Sequence, residues 1–235
     1  MSLIDMQNLI IKNQKGKSLI NGINLKIYQQ KVNALIGESG SGKSTLAALL
    51  LGLLKPINGS IYMSDDTVLP IFQHALSSFN PDWTIEDSLK EALKYYRRLK
   101  ADDNQLELLL QHLSNFDLDS QLLSNYPNEV SGGQLQRFNV MRSLLAQPRV
   151  LICDEITSNL DVIAEQNVIS ILKEQTIANL NHLVVISHDL SVLQRLVNRI
   201  IVIKDGAIVD DFETVELFNS DRHPYTKELT QAFTF

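Results

Sequence analysis

Near the amino-terminal end, the run Gly37-Glu38-Ser39-Gly40-Ser41-Gly42-Lys43-Ser44-Thr45 constrains this chain more than any other feature. It fits the pattern G-x-x-x-x-G-K-S/T of a phosphate-binding loop without a mismatch. The spacing follows from the chemistry. Glycines let the backbone curl until successive N–H groups point inward and cradle phosphate oxygens. Lys43 adds a point charge for the outer phosphates, and the Ser44 hydroxyl can ligate Mg²⁺. An ordinary Gly/Ser turn before a helix is the competing reading, and the flanks argue against it. Val32 to Ile36 reads as a buried strand and Thr45 to Leu54 as an apolar helix. Strand, glycine loop and helix is the context the motif requires.

The carboxylates come from a second strand. Val150-Leu151-Ile152-Cys153 is an apolar run that ends in Asp154 and Glu155, and ligands of open α/β sheets sit at the carboxyl ends of strands. Asp154 would hold Mg²⁺, through water, and Glu155 would polarise an attacking water; the competing reading is a solvated acidic turn. Cys153, the single cysteine, reads as a small core residue inside that strand rather than a reactive thiol. One cysteine forms no internal disulfide and fits a reducing compartment. The amino terminus lacks the basic region and long apolar core of a signal peptide. No apolar run approaches the roughly 18 residues that span a bilayer. The expected place is therefore the cytoplasm, with any membrane role exercised through a partner. The net charge of −6 argues against nucleic acid as a partner.

The 235 residues suffice for one large domain or for a domain with an inserted subdomain. Leu3 to Ile11 and Ser18 to Ile27 read as strands of an antiparallel layer. Ser60 to Met63 and Val68 to Phe72 are short strand candidates. Ile85 to Lys100, Asn104 to Phe116 and Ser131 to Ala146 carry helical apolar spacing. Strands return at Val150 to Cys153 and Leu183 to Ile186, each followed by a helical pattern, which is the βα logic of a mostly parallel sheet. Arg199 to Lys204 and Ala207 to Asp210 form a hairpin around Asp205-Gly206. Short helices over Val215 to Asn219 and Tyr225 to Ala232 close the chain. The expected division is an α/β core from residues 1–74 and 149–235, with a helical subdomain over 75–148.

Val130-Ser131-Gly132-Gly133-Gln134-Leu135-Gln136-Arg137 opens one of these helices. Ser131 can simply cap it, or the glycine-rich helix start can receive an anion. This segment resembles the signature motif of the ABC ATPases, with Val130 where leucine is commonest. The remaining motifs follow in family order. Gln73 resembles the Q-loop glutamine, which reaches Mg²⁺ and the attacking water. Ser158-Asn159-Leu160-Asp161 resembles the D-loop, and His188 the switch histidine that contacts the γ-phosphate. The resemblance implies a P-loop, RecA-like core with an antiparallel β layer and an inserted helical subdomain. It implies ATP and Mg²⁺ as cofactors, Ser44, Gln73 and Asp154 around the metal, and a head-to-tail pair of subunits. In such a pair Ser131, Gly132, Gly133, Gln134 and Asp161 of one subunit serve nucleotide held by the phosphate loop of the other.

Phe72 to Pro81, and Glu216-Leu217-Phe218 followed by His223 to Leu229, resemble segments of the oligopeptide, dipeptide and nickel importer ATPases. Ser-Asn-Leu-Asp at 158–161 is similar to the second ATPase of nickel importers, so nickel leads peptide as expected cargo. A soluble ABC-type assembly ATPase is a third reading, disfavoured by those two segments. The implied partners are a related but distinct ATPase, two membrane-spanning permeases and, indirectly, an extracellular solute-binding protein, with the chain peripheral on the cytoplasmic membrane face. Residues 77–89 would face a permease, where Trp83 is either a docking residue or a core anchor. Three departures stand out. The stretch from Ser60 to Phe72 is short for the family. The cysteine-rich tail of some peptide-importer relatives is absent, so no iron–sulfur cluster is expected. Residues 12–17 contain no aromatic to stack on adenine, and Tyr28 falls too late. Base stacking on an aromatic is typically ~1–3 kcal/mol, so ATP affinity should be lower by roughly five- to 150-fold.

Overall fold

The computed structural model describes residues 2–28, 31–63, 68–96, 105–157, 160–179 and 182–232. In chain order the elements are β1 (Ser2–Lys12), β2 (Ser18–Tyr28), β3 (Asn33–Ile36), α1 (Lys43–Leu50), β4 (Asn58–Met63) and β5 (Val68–Ile71). A helical stretch follows with α2 (Ile85–Tyr96), α3 (Gln105–Leu113) and α4 (Gly132–Leu145). The chain then alternates through β6 (Val150–Asp154), α5 (Val162–Asn179), β7 (His182–Ile186), α6 (Leu190–Leu196), β8 (Arg199–Lys204), β9 (Ala207–Glu213) and α7 (Pro224–Ala232).

Six strands form one sheet in the order β5-β6-β7-β3-β8-β9, and three form a second in the order β2-β1-β4. Strands β5, β6, β7, β3 and β8 run parallel, whereas β9 returns antiparallel from the Asp205-Gly206 hairpin. The second sheet is antiparallel throughout. Successive side chains of a strand point to opposite faces, and the central sheet is apolar on both. Ala34, Ile36, Leu151, Cys153, Leu183, Val185, Ile200 and Val202 pack with helical residues such as Leu89, Phe138 and Leu172. Their neighbours Leu35, Val150, Ile152, Val184, Ile186, Ile201 and Ile203 pack with Leu46 and Leu50 of α1 and with Ile4, Met6 and Leu25 of the antiparallel layer. The α/β class, the extra β layer and the hairpin are as the sequence predicts.

The differences are local. Helix α1 starts at Lys43 and stops at Leu50 rather than running from Thr45 to Leu54. Gly42 enters it at φ 116°, and Gly52 leaves it at φ 71°, a left-handed exit that only glycine makes readily. Leu53 and Leu54 therefore stay exposed. The expected helix over Val215 to Asn219 is a single 3₁₀ turn, Thr214–Glu216. Val215 and Phe218 are exposed and Leu217 is buried, so one anchored side chain is too little to hold a longer helix. Trp83 is 38% exposed, so part of its ring faces solvent while the larger part is covered. Among the described residues no helix is long and apolar enough to cross a membrane.

Candidate functional site

Parallel strands end on one edge of their sheet, and here that edge carries the chemistry. Register pairs Cys153 with Ile71 and Val185, and Val185 with Ala34. The segments that follow β5, β6, β7 and β3 therefore emerge side by side. Between them lies a cleft of about 380 Å³ lined by Gly37, Glu38, Ser39, Gly40, Lys43, Ser44, Gln73, Asp154, Glu155, Ile186, Ser187 and His188.

The phosphate-binding segment is fixed by backbone constraints. Gly37 has φ 151°, and a Cβ there would stand 2.2 Å from the Ile203 carbonyl oxygen, so only glycine lets the loop lie against β8. Lys43 Nζ donates to the carbonyls of Gly37 and Glu38 at 2.7 and 2.8 Å. Burial lowers the Lys43 pKa, opposed by the negative charges of Asp154, Glu155 and Glu38. Burial and the Glu155 charge raise the Asp154 pKa, opposed by Lys43. The cleft thus holds a desolvated ammonium beside the desolvated Asp154 carboxylate, each tempering the other's burial.

Glu155 sits at the centre. Its Oε2 accepts from Gln73 Nε2 at 2.9 Å, and its Oε1 lies 3.0 Å from His188 Nδ1. A carboxylate only accepts, so Nδ1 carries a proton in this contact. Glu155 has φ 48°, and its N–H donates to the Ile186 carbonyl at 2.9 Å. A non-glycine residue in this region stores roughly 1–3 kcal/mol of strain. The strain turns the chain at the end of β6, where Glu155 meets both partners.

Gly37, Glu38, Ser39, Gly40, Lys43, Ser44, Gln73, Asp154, Glu155 and His188 are thus gathered in one cleft. The rest of the run lies behind it. Ser41 is buried, Gly42 precedes α1, and Thr45 lies within that helix. Ser131, Gly132, Gly133, Gln134 and Asp161 do not line the cleft. Ser131 and Gln134 form a reciprocal capping box on α4, and Asp161 Oδ1 accepts from the Ala164 N–H at the start of α5. A Cβ at Gly132 would meet nothing within 4 Å, and one at Gly133 would meet only Leu160 Cδ2 at 3.8 Å. Ser158 and Asn159 lie outside the described residues. Tyr28 carries the Arg199 guanidinium over its ring at 5.7 Å and is not part of the cleft.

Sequence reasoning missed Ser187, which the position before His188 could have signalled. It also missed Gln136, a buried polar residue whose Nε2 donates to the Ile156 carbonyl at 3.1 Å. That bond ties α4 to the chain just beyond Glu155; a glutamine on an apolar helix face was the available signal. The oxygen donors of Ser44, Gln73 and Asp154 suit Mg²⁺, which binds few protein groups beside phosphate and water. Among the described residues no cluster of three His, Cys, Asp or Glu side chains could hold a metal alone.

Residues 20–158 match the family model described as ABC transporter. Over 233 residues, 99% of this chain and 100% of the relative, the sequence is 69% identical to the nickel import system ATP-binding protein NikE of Staphylococcus aureus strain USA300. The protein of the same name from strain MRSA252 is 68% identical over the same span. A dimeric bacterial ABC transporter cassette superposes with a TM-score of 0.80 at 26% identity, over 90% of this chain and 98% of that one. The protein cbiO1 from Clostridium perfringens has the same fold, with a TM-score of 0.80 at 21% identity over 98% of this chain and 99% of its own. A cleft built on the phosphate loop, a family match over residues 20–158 and 69% identity to a relative over 99% of the chain converge: this chain belongs to the ABC transporter family.

Proposed function

We propose that this chain is the ATP-hydrolysing subunit of a nickel importer. The observation that carries the catalytic assignment is the Glu155 carboxylate held between Gln73 and His188 in the cleft of the phosphate loop. Backbone amides of the phosphate loop and the Lys43 ammonium bind the phosphates. Glu155 polarises the attacking water, Gln73 orients it, and His188 contacts the γ-phosphate. Ser44, Asp154 and Gln73 would hold Mg²⁺, which neutralises charge on the outer phosphates when bound. Nickel as cargo rests on the 69% identity to the nickel import protein over nearly the whole chain.

The signature segment serves a second subunit. Glycine near a helix start is a poor helix former, and within this chain neither packing nor a left-handed φ demands one at Gly132 or Gly133. A phosphate approaching the α4 amino terminus from outside does demand it, because any Cβ would stand between the ligand and the amides. Ser131, Gly132, Gly133 and Gln134 therefore face nucleotide on the phosphate loop of a related ATPase, with Asp161 at the same contact. The residues 75–148 form the arm that carries this segment and, through the exposed Trp83, meet one of two permeases. The assembly sits on the cytoplasmic face of the membrane and draws cargo from an extracellular solute-binding protein.

The test is cellular nickel uptake in a strain lacking this chain, restored with wild type or with Glu155→Gln. Rescue by wild type alone is the expected result. Uptake independent of the chain would remove nickel as cargo and bring peptide import forward. Rescue by Glu155→Gln would overturn the role of the carboxylate.

A further inference from the structure

The outer end of the phosphate loop rests on the carboxyl-terminal helix. The backbone N–H of Glu38 donates to the hydroxyl oxygen of Tyr225 at 3.0 Å. Tyr225 lies 187 residues later in the chain and is only 3% exposed. The Lys204 ammonium sits over its ring, 4.4 Å from the centroid, and fixes the ring from the β8 side. Burial raises the hydroxyl's pKa, so the group stays neutral and the contact does not switch with physiological pH.

The segment that presents Tyr225 is itself pinned. Asp210 on β9 accepts from the His223 N–H and the Thr226 hydroxyl, both at 2.9 Å, and from Arg222 at 3.4 Å. The Arg222 guanidinium also lies 4.5 Å from the Phe212 ring centroid. Thr226 is fully buried. One carboxylate thus fixes the start of α7, and α7 fixes the phenol against the loop. The arrangement is more specific than packing requires, since a phenylalanine would fill the same space without reaching the amide.

We propose that Tyr225 is a positioning residue for nucleotide binding: its hydroxyl holds the Glu38 amide so that the remaining loop amides converge on phosphate. Asp210 acts one step further back by holding the helix. This deepens the phosphate-loop reading and rests on it. A loop free to swing at Glu38 must be ordered by the ligand itself, and that ordering weakens affinity without touching Glu155.

The test compares full-length wild type, Tyr225→Phe and Asp210→Asn. Hydrogen exchange at the Glu38 amide is read by NMR and ATP binding by titration, and hydrolysis is measured in the assembled importer. The proposal expects faster exchange at Glu38 in Tyr225→Phe and ATP binding weaker by about three- to tenfold, as for one lost hydrogen bond. KM should rise in parallel, with kcat within twofold of wild type. Asp210→Asn should move the same readouts in the same direction. Unchanged ATP affinity in Tyr225→Phe would overturn the proposal, leaving Tyr225 as packing alone. So would KM and kcat failing together with the melting temperature, the pattern of a general loss of structure. Wild type that does not bind ATP would sink the phosphate-loop reading, and this proposal with it; that outcome is visible before any variant is compared.

Discussion

Gly206 and Gly16 have nearly the same backbone, φ +76° and +78°, but different surroundings. A Cβ at Gly16 would meet nothing within 4 Å, whereas one at Gly206 would stand 2.6 Å from the Leu19 carbonyl oxygen and 3.1 Å from the Ile20 Cα. Alanine at either position bears the left-handed strain, about 1–2 kcal/mol. Only at Gly206 must backbone also move, which adds about 1–3 kcal/mol. Gly206→Ala should therefore lose about 2–5 kcal/mol and Gly16→Ala about 1–2 kcal/mol. For a chain of this size each kcal/mol lowers Tm by about 2–4 °C. The consequences differ too. The Gly206 N–H donates to the Ser41 carbonyl, and the Gly206 carbonyl accepts from the Asn21 N–H, both at 2.8 Å. Displacing this turn displaces the phosphate loop, so Gly206→Ala should also weaken ATP binding while Gly16→Ala leaves it unchanged. Thermal melts with and without ATP measure both effects. Equal losses in the two variants would refute the close-approach reasoning.

Glu155→Gln preserves shape and can keep both neighbours, because the Gln73 amide can turn and His188 can change tautomer. Its melting temperature should stay near that of wild type while hydrolysis falls about 10²–10⁴-fold and ATP-bound dimer accumulates; wild-type turnover would remove Glu155 from the chemistry. His182 is buried at the start of β7, and burial, then the Arg149 charge, hold its pKa below the usual 6.5. Between that lowered value and 6.5 the unfolded chain binds more protons, so stability rises with pH through the window and is lost on acidification. His182→Gln should flatten this limb in denaturant titrations, and an unaltered slope below pH 6.5 would contradict it. With Tyr28 under Arg199 and no aromatic in residues 12–17, neither base gains an aromatic platform, and stacking tolerates either base, so ATP and GTP should bind with similar affinity; strong preference for ATP in competition titrations would show another adenine contact.

How much was legible depended on how far each signal reaches along the chain. The phosphate loop is one continuous motif, and the two-sided burial of the central sheet is written in uninterrupted apolar strands, so both can be read locally. The Glu155 clamp joins residues 82 and 33 positions away. No spacing rule links such residues; Gln73 and His188 were found through resemblance, not periodicity. The Tyr225–Glu38 bond spans 187 positions; the segment His223 to Leu229 stands out by resemblance, but nothing in it points to the phosphate loop, because a tyrosine in a short amphipathic helix looks like any core aromatic. The apolar pattern overruns the helix end at Leu54, where Gly52 decides, and overstates a helix at Val215, where burial fails to support it.

The signature glycines invert that relation under the proposed pairing of subunits, since nothing in the fold of one chain demands them. Helix α4 begins at Gly132, and neither Gly132 nor Gly133 is forced by a left-handed φ or a close contact. Within the isolated chain alanine should therefore be tolerated. Gly133→Ala should stabilise the chain by about 0.5 kcal/mol, since alanine is the better helix former and only Leu160 lies near. In the proposed pair of subunits the same substitution places a methyl group between the α4 amino terminus and the partner's phosphate, so hydrolysis by the assembly should fall at least tenfold, the effect of losing about 1.4 kcal/mol of transition-state contact. Melting of the isolated chain and turnover of the assembly separate the two effects. A variant that is less stable alone would show that Gly133 serves its own fold. A variant with unchanged turnover would show that no ligand comes to this helix end.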